Sequence, residues 1–497
     1  MLNPVGRPHA QPFAHSRRHA WAGMRLGLGL MAVPGVLAVS ACVLGPDYHP
    51  PALLALAVPP TYSVQPDPSE QSATAHWWNQ FGDADLTRLE EAGLAANLDI
   101  AQALSRLRQV REALAQARSA AMPTISASGG YTRTQAIAAP AGASLSGDSL
   151  TSAADAAYQV DLFGGRSRAI EAARADSEAS RLDYAAVALT VQSTIASTYL
   201  QVRLLQANLA NAQEARTNQA ANLQIADWRR QAGLIGQFDV DLARTQLAQT
   251  SATIPQIEST LSATIAALGV LLGQGPGALR AELAQSRPIP VGPANLAVGI
   301  PADVLRQRPD VRSAERTLAA ATARIGVAEA ALYPALSLGG SIGTGSATLS
   351  SPFDLITGQA FARIAQTIFD GGRLRSLVRS QRAATDGAFA RYKQSVLTAL
   401  EDVENAVVAL QAANQRQIQF DLAETSATSS AALARQQYRS GLIDYAALLI
   451  TENLLITSRN GVAQARHDRA AALVQLYAAL GGGWTDRDAI PDRTDNG

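Results

Sequence analysis

Cys42 is the single cysteine of a 497-residue chain, so the thiol chemistry open to this protein is that of one sulfur. It can build no internal disulfide, no CxxC redox centre and no thiolate zinc cage. The six histidines (His9, His15, His19, His49, His76 and His467) show neither HxxxH nor HxH spacing, and three precede Cys42. No metal centre is expected from them. There is no GxSxG elbow to raise a nucleophile and no GxxxxGK loop to cradle phosphates. Glu401, Asp402 and Glu404 fall on a helical pattern and read as solvated or capping charges. Neither a catalytic residue nor a cofactor is expected. Lys+Arg and Asp+Glu both total 41. That balance withholds the field on which nucleic-acid binding depends, and no nucleic-acid partner is expected.

The residues around Cys42 indicate what its thiol is for. Residues 26–41 (LGLGLMAVPGVLAVSA) are nearly all apolar or small and follow Arg17, Arg18 and Arg25, the pattern of a secretory signal. Pro34 and Gly35 interrupt the run, which argues against a membrane anchor. It closes on Val39-Ser40-Ala41-Cys42, which resembles a lipobox, where the thiol is diacylated, the chain is cut before it and the new amine is acylated. Several acyl chains hold a protein firmly where one is marginal. Residue 43 is valine and not the aspartate that retains lipoproteins at an inner membrane, so the outer membrane is expected. Beyond the signal no run reads as long and apolar enough for a membrane helix. Further membrane contact must then come from strands.

The rest of the chain is a sequence written twice. Asp99 to Pro123 parallels Asp310 to Pro334 at an offset of 211 residues, Leu162-Phe163-Gly164-Gly165-Arg166 parallels Phe369-Asp370-Gly371-Gly372-Arg373 at 207, and Gly233-Leu234-Ile235 parallels Gly441-Leu442-Ile443 at 208. The expected division is a signal over 1–41, an extended segment over 42–84, a first repeat over 85–290, a second over 291–484 and a tail over 485–497. Each repeat reads helix, strand, loop, strand, long helix, turn, helix. Strands are expected near 124–133 and 156–163, and near 335–343 and 361–369, with exposed loops over 134–154 and 344–359. Ile125, Ala127, Gly129 and Tyr131 share one face opposite Thr124, Ser126, Ser128 and Thr132. Leu336, Leu338 and Ile342 oppose Ser337 and Ser341, and Tyr158, Val160 and Leu162 oppose Gln159 and Asp161. Such alternation suits a sheet with one apolar and one polar face.

Arg166 to Gln231 contains neither proline nor glycine, and Arg373 to Ser440 only Gly387. At ~1.5 Å per residue either would run roughly 100 Å as a helix. Phe389, Tyr392, Val396, Leu400, Val403, Val407 and Leu410 recur at steps of three or four and mark a packed face. Each long helix stops at a glycine turn, and a second helix returns to about Leu272 or Leu480. Four strands cannot close a barrel, and a membrane sheet tolerates no open edge, so several copies must complete it together.

With these features the chain resembles the outer-membrane factor lipoproteins, the outer-membrane channels of resistance–nodulation–division type tripartite efflux systems. The matching words are Gly45-Pro46-Asp47-Tyr48, Trp77-Trp78 with Phe81, Asp83 and Leu86, Asp161-Leu162-Phe163-Gly164, Arg308-Pro309-Asp310-Val311, Phe369-Asp370-Gly371-Gly372-Arg373 and Ala479-Leu480-Gly481-Gly482-Gly483-Trp484. The resemblance implies a mainly α fold with a small transmembrane β part. It further implies a homotrimer whose 12-stranded β-barrel continues into a long periplasmic α-barrel. Implied partners are a periplasmic adaptor protein and an inner-membrane resistance–nodulation–division pump, which supplies the energy. The turns Gly233, Leu234, Ile235 and Gly441, Leu442, Ile443 would touch the adaptor. Asp239 and Tyr438 match positions that hold the tip shut, whereas the expected arginine is Ile443 and the acidic ring positions are Ala447 and Ile450. Asp444 and Glu452 are the nearest carboxylates to replace that ring, and otherwise are solvated turn residues. Gln366-Thr367 stands where the family has Trp-Pro. Competing readings are the channel of an ATP-driven secretion system and a coiled-coil structural lipoprotein without a pore, to which the four strands are an objection.

Overall fold

A computed structural model describes residues 43–63, 75–138, 147–293, 298, 301–346 and 355–484. The signal, Cys42 and the tail over 485–497 lie outside these residues. Two short helices, α1 (Ala84–Ala96) and α2 (Leu98–Ser119), precede strands β1 (Thr124–Thr134) and β2 (Gly147–Val160). The long α3 (Gly165–Gln231) and the returning α4 (Gln237–Leu271) follow. The pattern then repeats as α5 (Pro301–Gln307), α6 (Pro309–Ala330), β3 (Ala335–Ser346), β4 (Leu355–Ala365), α7 (Arg373–Arg439) and α8 (Tyr445–Ala479). Both α3 and α7 have 67 residues, and both α4 and α8 have 35.

Local chemistry sets the helix boundaries. Asp83 caps α1 by accepting from Leu86 N at 2.9 Å. Asn97 caps α2 through Asp99 N and Ile100 N, and its Nδ2 donates to Leu271 O at 2.8 Å, tying α2 to the end of α4. Gly164 and Gly372, each with positive φ, release the chain from the sheet into the long helices. These caps are 208 residues apart, so the Gly-Gly-Arg words, aligned at 207 in sequence, are out of register by one in space. Gly165 is already helical, whereas Gly371 and Gly372 both keep the left-handed conformation that only glycine adopts freely.

Two strands correct the sequence reading. β2 begins at Gly147 rather than near 156, and β4 covers Leu355–Ala365 rather than 361–369. Both take in stretches read as loop, because Ser149, Thr151, Ala153 and Gly358 lack the bulky alternation that signals a strand. The four strands form one antiparallel sheet in the order β1-β2-β3-β4. Helix α4 is a further correction, for it is apolar and long enough by composition to cross a membrane, yet it packs antiparallel along α3.

The core lies near the middle of α3 and α7 and at the C-terminal end of α8. Trp77, Trp78 and Phe81, from a short turn before α1, are buried with Ile195, Tyr199 and Leu200 of α3, Val396 and Val403 of α7, and Leu473 and Tyr477 of α8. The Trp77 and Tyr477 rings stack at 5.3 Å. Tyr392, Val396, Leu400, Val403, Val407 and Leu410 are all buried, as the α7 stripe requires. Two carboxylates read as solvated have specific partners. Asp402 accepts from Arg308 at 2.9 Å, and Glu404 accepts from Ser63 N and Oγ.

Candidate functional site: the sheet, its junction with the helices, and the helix turns

Cross-strand register fixes the two faces of the sheet. One row runs Ala127, Ala154, Ile342 and Gly358, and other rows of that face carry Ile125 with Ala156, Tyr158 with Leu338, and Val160, Leu336 and Ile364. The opposite face carries Ser126, Asp155, Ser341 and Gln359 in one row and Gln159, Ser337 and Arg363 in another. Side chains on both faces are largely exposed, including Ile125, Tyr131, Ile342, Ile356 and Ile364. A four-stranded sheet whose apolar face has no cover among the described residues needs an apolar solvent or another chain. Tyr131 sits near the loop end and donates to Asp148 at 2.9 Å, while Tyr158 lies towards the helices. Beyond it, Phe163 and Tyr333 stack at 4.9 Å, and Ile368 and Phe369 stand exposed. Aromatics at both ends of an apolar band mark the two boundaries of a bilayer.

The first described residues end at this junction. Leu44 N donates to Phe163 O, and a Cβ on Gly164 would collide with Val43. Buried Arg168 donates to Leu44 O, Gly45 O and Asp47 Oδ1, the last at 2.6 Å. The guanidinium holds the Asp47 carboxyl below its usual value. Gly45 lies against Gly326 so closely that neither position admits a side chain, which accounts for glycine in the Gly-Pro-Asp-Tyr word. Val43 is thereby fixed at the foot of the sheet, and Cys42 is its covalent neighbour.

The far ends of the hairpins form a second centre. Gly233 and Gly441 have positive φ, and Leu234 N and Leu442 N donate back to Arg229 O and Gln437 O, the bond pattern of a glycine-ended helix. Leu234, Phe238, Leu442 and Ile450 are exposed, whereas Ile235 and Ile443 pack on a cluster of Val240, Tyr438, Tyr445 and Leu448. Asp239 is half-buried beside this cluster. The Tyr438 ring is buried, stands edge-on to Tyr445 at 5.8 Å and lies under the Arg229 guanidinium at 5.0 Å. Arg229 also donates to Tyr438 O at 3.1 Å. The Tyr438 hydroxyl makes no hydrogen bond of ordinary geometry, and Asp239 is not bonded to it. Burial raises the Tyr438 hydroxyl pKa, Arg229 opposes that shift and Asp239 adds to it.

The carboxylates expected to ring an aperture have other tasks. Glu452 is 4% exposed and accepts Nε and Nη2 of Arg435 at 2.6 and 2.7 Å, which holds it inside the α7/α8 hairpin. Asp444 is exposed and caps α8 by accepting from Ala447 N at 2.8 Å. The sequence reading missed Arg229 and Arg435. A signal for Arg435 was present, since it lies four residues before the end of α7 and Glu452 seven residues into α8, within the same few turns of an antiparallel hairpin.

Comparison with known proteins agrees with this geometry. The family described as outer membrane efflux protein matches residues 90–274 and 300–482. Nodulation protein T of Rhizobium leguminosarum bv. trifolii is 30% identical over 451 residues, covering 90% of this chain and 96% of that protein. The pyoverdine export outer membrane protein OpmQ of Pseudomonas putida is 31% identical over 443 residues, covering 86% and 94%. The solved outer-membrane channel OprN superposes with a TM-score of 0.81 at 30% identity, over 89% of this chain and all of that one.

Proposed function

Because the chain belongs to the outer membrane efflux protein family, we propose that it is the exit duct of a tripartite efflux pump, conducting passively from an adaptor and inner-membrane pump to the outside. The observation that carries this reading is the sheet, with an uncovered apolar face bounded by aromatics and continuous with two 67-residue helices. Three chains supply twelve strands, joining β4 of one to β1 of the next. The apolar face meets lipid and the polar face lines water. The helices continue the wall for roughly 100 Å into the periplasm. Acyl chains on Cys42 enter the same leaflet that the foot of the sheet touches. Energy comes from the inner-membrane pump, of the resistance–nodulation–division type, and the duct performs no catalysis.

The turns close the duct at its periplasmic end. Exposed Leu234, Phe238, Leu442 and Ile450 make the constriction apolar, and an adaptor docks on Gly233, Leu234, Ile235, Gly441, Leu442 and Ile443. Within the tip, Arg229 links the α3/α4 hairpin to the C-terminal end of α7. Asp239 faces the same cluster and biases the closed state together with Tyr438. In planar bilayers the wild-type protein is expected to show a small resting conductance. Arg229→Ala removes the carbonyl bond and the stacked cation, together worth about 1–3 kcal/mol per chain, and is expected to raise that conductance. Asp239→Ala should raise it in the same direction. Unchanged conductance in both variants would place the gate elsewhere.

A further inference from the structure

The polar face of the sheet is unevenly charged. In a row close to the helices, Gln159 pairs with Ser337 and Ser337 with Arg363. Arg166, at the start of α3, donates Nη2 to Gln159 Oε1 at 2.9 Å. One row further, the Phe361 ring lies over Gly339, where any Cβ would collide with it. The Arg363 guanidinium carbon stands 5.7 Å from the centroid of that ring. Two basic side chains are therefore held within two neighbouring rows of this face, one by a hydrogen bond and the other by stacking on an aromatic ring. Two carboxylates lie near them. Asp155 is four residues up β2, about 13 Å away at ~3.3 Å per residue. Asp161 accepts from Ser167 N and Oγ and so caps the first turn of α3.

Resting on the duct reading above, we infer that Arg166 and Arg363 form a basic collar inside the channel, where barrel meets helices, and that this collar favours negatively charged permeants. Three chains place six guanidinia around the passage. A twelve-stranded barrel with strands ~4.8 Å apart and tilted by about 40° has a backbone radius near 12 Å, so each charge stands within about 10 Å of the axis. Across water with a Debye length of about 10 Å, a ring of three such charges enriches a monovalent anion on the axis roughly twofold. Gly339 is the residue that makes this compact. Its missing side chain lets Phe361 lie flat, so the Arg363 charge is displayed from the wall without narrowing the passage.

The experiment is the reversal potential of the full trimer in planar bilayers under a KCl gradient. Arg166→Gln and Arg363→Gln are each expected to lower the chloride-to-potassium permeability ratio about fourfold, and roughly sixteenfold together, because a ring that doubles the anion on the axis also halves the cation. Arg363→Lys, which keeps the charge, should leave the ratio near wild type, and Asp155→Asn should raise it. If Arg363→Gln prevents trimer formation, Arg166→Gln alone carries the decision. A conducting double variant with the wild-type reversal potential overturns the collar while leaving the duct intact. A wild-type protein that conducts nothing overturns the duct itself.

Discussion

Ile342→Arg is expected to abolish the heat-resistant trimer. Ile342 stands opposite Ala154 and Gly358 in the middle of the sheet, on the uncovered apolar face. Arginine facing lipid at that depth costs ~2–4 kcal/mol per chain, and the trimer meets the cost three times. Ser341→Arg, one residue away, puts the same group on the water-lined face, opposite Asp155 of β2 and Gln359 of β4. That change is expected to leave the trimer intact, with the added ring of charge shifting ion preference towards anions. The contrast is sharp because strand periodicity is two, and a one-residue slip of register would exchange the outcomes. Heating series on gels after outer-membrane extraction read both variants. Equal tolerance would mean that the apolar face is covered by protein and not by lipid.

Glu452→Ala is expected to loosen the end of the second hairpin more than any change at the turn glycines' flanks. The carboxylate is almost wholly buried and accepts two bonds from Arg435, whose side chain is 26% exposed. Removing one member of such a pair costs about 3–5 kcal/mol, mostly for the charge left unpaired. The partial exposure of Arg435 places this case at the lower end. Amide exchange at the turn ends of α7 and α8 should accelerate, and the resting conductance should rise. Arg435→Met combined with Glu452→Leu should recover much of the loss, since an apolar pair leaves no orphaned charge. Additive effects of the two single changes would show that the pair is not coupled.

How much of this was legible in the sequence depends on the kind of contact. Leu336, Leu338 and Ile342 announced β3 because bulky and small residues alternate there, and the turns at Gly233 and Gly441 followed from glycine after an uninterrupted helix. The start of β2 was not legible. Ser149, Thr151 and Ala153 share one face and are all small, Leu150 is the one bulky residue on the other before Tyr158, and composition alone cannot tell them from a loop. Thr151 and Ala153 are held in strand by pairing with Gly345 and Gly343, 194 and 190 residues away. Charges hid a similar lesson. Glu452 and Asp444 look alike in sequence, yet one is buried against Arg435 and the other caps a helix. Glu90, an ordinary surface letter of α1, is fully buried, neither carboxylate oxygen makes a hydrogen bond of ordinary geometry among the described residues, and burial pushes its pKa well above the usual carboxylate range. Only the fold decides which carboxylate meets solvent.

The most direct test of the account is the mass of the complex extracted from the outer membrane in mild detergent, measured by native mass spectrometry. Three acylated chains are predicted, because three are needed for twelve strands and a water-filled passage. A monomer would contradict the account, since four strands leave two open edges in the bilayer. A dimer would contradict it as well, because an eight-stranded barrel is filled by its own side chains and leaves no duct.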